Sequence, residues 1–372
     1  MLIFVFVNCV SRDYLIRMKT TWHIILTVCM VLTMAACSKG DDALEPDSQT
    51  SRQARVTLLA TYNGMGDNGY IDSSVEGVFA FAFQTDTPMQ MLLPKDKAEA
   101  EMLYGLWLKE NADRDSTVLI VGTEDYSDFV ERTPVSITGK GTRVLLFEST
   151  ITGQPDGVSS IMINRYGASY LCGAMSGVMD AFVLAASPGY NTLQDAIGGF
   201  MEGYEAHHDE GRKAELAYLS DGETGFAMPD SAYRVMARRM ENYFVYNEMV
   251  FPLLGGSGLG VLRCMNDEES NLGLLIGMDV DQSAMSSRVP FSLLVKTGDV
   301  VHRYLDDWLA GREWPKHQTL GMGEGGADVM LHPSFYERHP LVLNSYSDPE
   351  TFVKRYNEYK DEAIRKEAEH GK

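Results

Sequence analysis

Cations are scarce in this chain. Its 372 residues hold 32 Lys and Arg against 52 Asp and Glu, a formal net charge of -20. Phosphate binding needs a basic face, so nucleic acid is excluded as a partner, and anionic head groups are disfavoured for the same reason. Usable cysteine is scarcer still. Of five residues, Cys9, Cys29 and Cys37 fall at or before a cleavage site described below. Cys172 and Cys264 each sit in an apolar helical pattern, so two buried free thiols are expected rather than a disulfide. Packing must then hold the core, and the chain is long enough for one large domain or two lobes. Catalytic signatures are missing too. There is no Gly-x-Ser-x-Gly elbow, no zinc signature and no phosphate loop: Gly139-Lys140 is followed by Gly, and Pro134 replaces the first glycine. His207 and His208 are adjacent, point apart on a helix, and are expected to be solvated. The chain reads as a non-enzyme without a cofactor or metal. A hydrolase built on unpatterned acids is the rival, and turnover of a bound solute would reveal it.

What is present begins with a leader. Lys19 precedes an apolar run over residues 22–36, which ends in Ala35-Ala36-Cys37. The run is short for a membrane span. A basic start, a short apolar stretch and small residues before the cut describe a secretory signal over 1–36, with translation expected from Met18. A Cys directly after Ala-Ala is the lipoprotein form of that signal, so Cys37 is the expected lipidation site. The polar residues 37–54 read as a flexible tether. Asp41 and Asp42 resemble the export signal of surface-displayed lipoproteins. The expected location is the cell envelope, anchored by lipid to a bacterial membrane, the outer membrane first and its exposed surface included, with the leaflet left open.

From Arg55 the pattern alternates strand and helix. Strands are expected at 56–62, 89–93, 117–122, 144–147 and 161–164, with helices at 73–83, 97–110, near 128, and 168–179. The alternation then restarts, with strands at 182–186, 214–219 and 249–254 and helices at 192–207, 230–243 and 258–265. Repeated βα units predict α/β architecture with parallel sheets and right-handed crossovers, and two such series predict two similar lobes. The tail from Pro333 carries aromatics that pack on a lobe and a charged helix over 348–369. Its last turns, 365–372, read as solvated.

One stretch stands out. Residues 272–278 form a continuous apolar run, a strand buried on both faces, which ends in Asp279-Val280-Asp281-Gln282. The carboxyl edge of a parallel sheet is where ligands bind. A second strand follows and closes with Lys296, so a carboxylate and an ammonium are expected to flank one cleft.

Six segments together resemble the basic membrane lipoprotein family, purine nucleoside receptors of the periplasmic-binding-protein type I fold. They are Gly66-Asp-Asn-Gly-Tyr-Ile-Asp-Ser-Ser-Val-Glu-Gly77, Ile163-Asn-Arg-Tyr-Gly-Ala-Ser-Tyr-Leu-Cys-Gly173, Gly199-Phe-Met-Glu-Gly203, Gly255-Gly-Ser-Gly-Leu-Gly-Val261, Ile276 through Lys296, and Gly321-Met-Gly-Glu-Gly-Gly326. The resemblance implies two Rossmann-like lobes joined by three crossovers. The first would hold 55–162 and 291–316, the second 163–290 and 317–335, with 336–372 as a C-terminal extension.

It also implies a lipid-anchored receptor that closes on a purine nucleoside and passes it to a separate permease and ATPase. Tyr70 would stack on the base from one lobe and Phe226 from the other, and Asp279 would grip the ribose hydroxyls. Lys296 would hold Asp279 ionised. Asp67 and Asn68 are candidates for the base edge, and Asn63 and Asp125 are weaker ones at the same strand edge. Gly256, in a loop opening a helix, offers backbone N–H groups, although a tight turn explains it more simply. Departures from the pattern are Tyr70-Ile71 for Phe-Asn and Glu148 for Asp. They leave open a sugar or furanose ligand on the same fold, or a surface scaffold with a degenerate cleft.

Overall fold

A computed structural model describes residues 55–62, 65–133, 137–149, 151, 155–242, 248–267, 273–332 and 348–370. The leader, Cys37, the tether and Asn63 lie outside the described residues.

The first series builds β1 (Arg55–Leu59), α1 (Tyr70–Thr85), β2 (Met89–Leu92), α2 (Lys97–Asn111), β3 (Thr117–Val121), α3 (Ser127–Arg132), β4 (Arg143–Phe147) and β5 (Val158–Ile163). These strands are parallel and ordered β5-β4-β3-β1-β2. All five residues of β3 are buried, as expected for a central strand covered on both faces. Helix α2 starts where Asp96 accepts from the Glu99 N–H at 2.8 Å and Glu99 accepts from the Lys95 N–H at 2.8 Å, a reciprocal cap.

The second series builds α4 (Tyr166–Ser176), β6 (Asp180–Ala185), α5 (Asn191–His207), β7 (Ala214–Tyr218), α6 (Pro229–Asn242), β8 (Glu248–Leu253), α7 (Gly258–Asp267), β9 (Leu274–Leu275) and β10 (Gly277–Asp279). The sheet order is β7-β6-β8-β9. Every residue of α4 is buried. It packs hard on α5: a Cβ on Gly173 would fall 2.0 Å from the Phe200 carbonyl oxygen, and one on Gly203 2.0 Å from that of Tyr170. The strand expected over 272–278 is broken at Ile276 into β9 and β10. Its second piece enters a small sheet, β10-β11-β13, with β11 (Phe291–Val295) parallel to β10 and β13 (Ala327–Leu331) antiparallel to β11.

Between β11 and β13 run α8 (Thr297–Leu309) and β12 (His317–Leu320). Helix α8 packs on α1, where Thr297 Oγ1 donates to the Tyr70 carbonyl at 3.2 Å. Strand β12 pairs parallel with β5 and becomes the sixth strand of the first sheet. The expected division therefore shifts by one strand at each of these crossings. Residues 291–295 pair with β10, and 317–320 pair with β5, because each strand extends the sheet whose edge it reaches.

Helix α9 (Pro349–His370) lies on α4 and α5, with Phe352 and Ala363 buried. Its last turns are engaged, contrary to the solvated expectation. The Glu367 carboxylate accepts from the Gly167 N–H at 3.0 Å and the Met322 N–H at 2.7 Å. Lys366 binds Glu202 at 2.8 Å, and the His370 ring stacks 3.9 Å from that of Tyr166. The reason lies in the first turn of α4, which leaves N–H groups without intrahelical partners. His207 is not solvated either; its Nε2 lies 3.1 Å from Glu362 and its ring 4.1 Å from that of Tyr359. Cys172 and Cys264 are free and buried, as expected.

Candidate functional site

The carboxyl ends of both large sheets and of β10 converge on a cavity of about 380 Å³. Its polar and aromatic wall residues lie at or beyond the ends of strands. Tyr70 opens α1 after β1, and Glu124 and Asp125 follow β3. Glu148 follows β4, and Arg165 follows β5. From the other side come Tyr190 and Thr192 after β6, Phe226 after β7, Gly256 after β8, and Asp279 at the end of β10. The position follows from the α/β architecture, since strand ends leave a crevice between the loops that connect them to helices.

One ion pair anchors the floor. Arg165 donates two parallel hydrogen bonds to Glu148, at 3.0 and 2.9 Å, and a third to the Ile163 carbonyl at 2.9 Å. Both side chains are about nine-tenths buried. The guanidinium lies 5.8 Å from the centre of the Tyr70 ring. The Tyr70 hydroxyl is buried beside Glu148, and burial followed by the charge of Glu148 pushes its pKa well above the ordinary value.

Asp279 sits at the start of α1. It takes the Tyr70 backbone N–H, and a Cβ on Gly69 would lie 2.9 Å from its Oδ2. Burial pushes its pKa up to about 6, opposed by Arg165 and reinforced by Asp67 and Glu148. Glu124 is raised to about 7 by burial, then by Glu148 and Asp125. Glu148 and Asp279 both hold left-handed backbone, with φ of 56° and 66°. Such strain in a non-glycine residue is costly, and it concentrates at functional sites.

The two walls touch across the cavity. The Tyr190 hydroxyl donates to Asp125 at 3.1 Å, and Thr192 Oγ1 donates to Glu124 at 3.3 Å. The Tyr190 ring stands edge-on to Phe226, with centroids 4.8 Å apart and planes at 85°, a favourable aromatic geometry.

Of the residues expected from the sequence, Tyr70, Asp67, Asp125, Phe226, Gly256 and Asp279 line this cavity. The Asp67 carboxylate is already occupied: it accepts from the N–H groups of Gly69, Ile71 and Asp72 at 3.0 to 3.2 Å, capping α1. Asn68 is exposed and outside the wall; its N–H donates to Asp72 at 2.8 Å, so it shapes the turn. Gly256 belongs to a tight turn, where a Cβ would lie 3.3 Å from the Phe226 carbonyl oxygen.

Lys296 does not flank Asp279. It pairs with Asp328 at 3.6 Å and is not among the wall residues. Leu294, two residues before Lys296, stands opposite both Asp279 on β10 and Asp328 on β13; the Asp279 carboxylate turns to α1 and takes the Tyr70 N–H, and Lys296 pairs with Asp328. Arg165 is the cation near Asp279 instead. It falls within the quoted Ile163-to-Gly173 segment, directly after a strand, which was the available signal. Glu124, Tyr190 and Thr192 were also missed; each lies just past a strand's carboxyl end. Among the described residues, no group of three His, Cys, Asp or Glu is arranged to hold a metal ion.

No family model matches this chain, and no curated protein matches it. Solved structures do. A solute-binding protein of an ABC transporter system from Aeropyrum pernix K1 is 15% identical, with a TM-score of 0.67 over 85% of this chain and 90% of its own. An ABC transporter periplasmic solute-binding protein from Actinobacillus succinogenes 130z, with bound D-allose, is 11% identical, with a TM-score of 0.58 over 77% and 100%. A transcriptional activator of the comK gene from Bacillus halodurans is 12% identical, with a TM-score of 0.56 over 79% and 97%. The fold is thus α/β with parallel sheets, of the periplasmic-binding-protein type I class. Transport receptors and a transcriptional activator share it, so the site must decide function.

Proposed function

We propose that this chain is a solute-binding receptor that captures a small hydroxylated ring between its lobes and delivers it to a separate transporter permease and ATPase. A lipid on Cys37 would anchor it to the cell envelope. The cavity carries the reading: it is of ligand size, walled by three aromatic rings, and bridged by hydrogen bonds between its two walls. Closure around a ligand is the hinge motion such an arrangement suits.

Two ligand classes fit, and hydrogen-bond accounting ranks them. A purine base presents several ring acceptors, which need donors. Arg165 is committed to Glu148 and Ile163, and Tyr190 and Thr192 to carboxylates. A sugar presents hydroxyl donors all round, which the carboxylates accept. The sugar class therefore leads, and a purine nucleoside, as the family resemblance implies, is second. A thermal-shift screen of hexoses, pentoses and nucleosides separates them. A true ligand raises the melting temperature by mass action, and Phe226→Ala should weaken it about tenfold or more. No shift with any member would leave the surface-scaffold reading.

A further inference from the structure

The cavity wall is unbalanced in charge. Asp67, Glu124, Asp125, Glu148 and Asp279 face Arg165 alone, and among the described wall residues there is no Lys, His, Asn or Gln. Arg165 is consumed by a two-pronged pair with Glu148. Asp67 is satisfied by three backbone N–H groups, and Asp125 by Tyr190 and Thr123. Glu124 and Asp279 carry less: one bond from Thr192 and one from the Tyr70 N–H. A solute with only neutral hydroxyls would leave this surplus of negative charge uncompensated in a half-closed site, which is costly.

A second observation is independent of the acids. The Tyr70 ring lines the same cavity, while its hydroxyl is buried away from the opening beside Glu148. The Tyr70, Tyr190 and Phe226 rings add faces that attract a cation.

We propose that the solute is cationic: a hydroxylated ring bearing an ammonium or a protonated ring nitrogen, held against Glu124 and Asp279. The proposal rests on the receptor reading and narrows it. The raised pKa values of Glu124 and Asp279 agree with it, since an arriving cation returns both to the ionised form. A metal ion does not serve as the cation, because the donor geometry for one is absent among the described residues.

Matched pairs test it on the purified full chain by thermal shift and calorimetry. The probes are glucosamine, galactosamine and mannosamine, each with its parent hexose and its N-acetyl form, and 7-methylguanosine with guanosine. At least one cation should bind about 10- to 100-fold tighter than its neutral partner at pH 6.5, where the amines and the methylated base are mainly protonated. That gap should narrow towards pH 5 as Glu124 and Asp279 take up protons. Glu124→Gln should narrow it too, because the amide cannot pair with the cation. If the neutral member binds as well or better in every pair that binds, the charge assignment fails and the receptor reading stands. If no probe of either kind shifts the protein, the receptor reading fails and takes this inference with it.

Discussion

Replacing Glu124 with glutamine should stabilise the unliganded protein, and only above a definable pH. Burial, Glu148 and Asp125 raise the Glu124 carboxyl from 4.5 to about 7. Below pH 4.5 the group is protonated in both the folded and unfolded chains and contributes no difference. Between pH 4.5 and 7 the folded state holds more protons than the unfolded one, so stability falls as pH rises, and above 7 the full cost is present. At about 1.4 kcal/mol per unit, reduced for the solvent that still reaches this side chain, the cost is about 2–3 kcal/mol. Glutamine keeps an oxygen for the Thr192 hydroxyl and removes the charge. With an unfolding entropy of about 2 cal/mol/K per residue over roughly 300 ordered residues, the variant should melt about 3–5 °C higher at pH 8. At pH 4 it should melt with the parent. Scanning fluorimetry of both proteins from pH 4 to 8 measures this. A variant that is less stable at pH 8, or equally shifted at both ends, would refute the picture of an ionised acid held against its neighbours.

Arg165→Met leaves Glu148 buried without its partner and should cost about 3–5 kcal/mol in urea melts; adding Glu148→Gln should recover much of it, and failure to recover would mean that the pair is not the source. Lys296→Met should leave the affinity for any solute found by the screen unchanged, because its partner is Asp328; a tenfold loss in calorimetry would return it to the site. Glu367→Ala removes the acceptor for two backbone N–H groups and should cost about 2–4 kcal/mol, with faster hydrogen exchange at Gly167 and Met322. Unchanged exchange at both amides would count against that role.

The parallel-sheet fold was legible because βα repeats write their periods locally: buried strands read as apolar runs, and helices show spaced apolar positions. The same logic placed Asp125, Gly256 and Asp279 at the cavity, since each lies at or just past a strand's carboxyl end, whereas Tyr70 and Phe226 came from the family resemblance. Pairing was not legible. Strand β11 has an acid on each side, Asp279 on β10 and Asp328 on β13, both opposite Leu294, and nothing near Lys296 announces that Asp328 takes it. Likewise Arg165 looks like any helix-opening arginine until β4 brings Glu148 beside it. The tail misled for a related reason. A strongly charged helix reads as solvated, yet Glu367, Lys366 and Glu362 each meet a partner on α4, on α5 or in the Gly321–Met322 turn.

That last contact bears on how the protein is made. Gly167 and Met322 both wait for Glu367, which the ribosome adds about 45 residues after Met322, a delay of a few seconds at ordinary elongation speed. Through that interval, the β5–α4 junction and the β12–β13 junction hold bare amides while the sheets around them are already able to assemble. Nascent chains halted before residue 367 should keep those junctions open to quality-control proteases, and the finished chain should not.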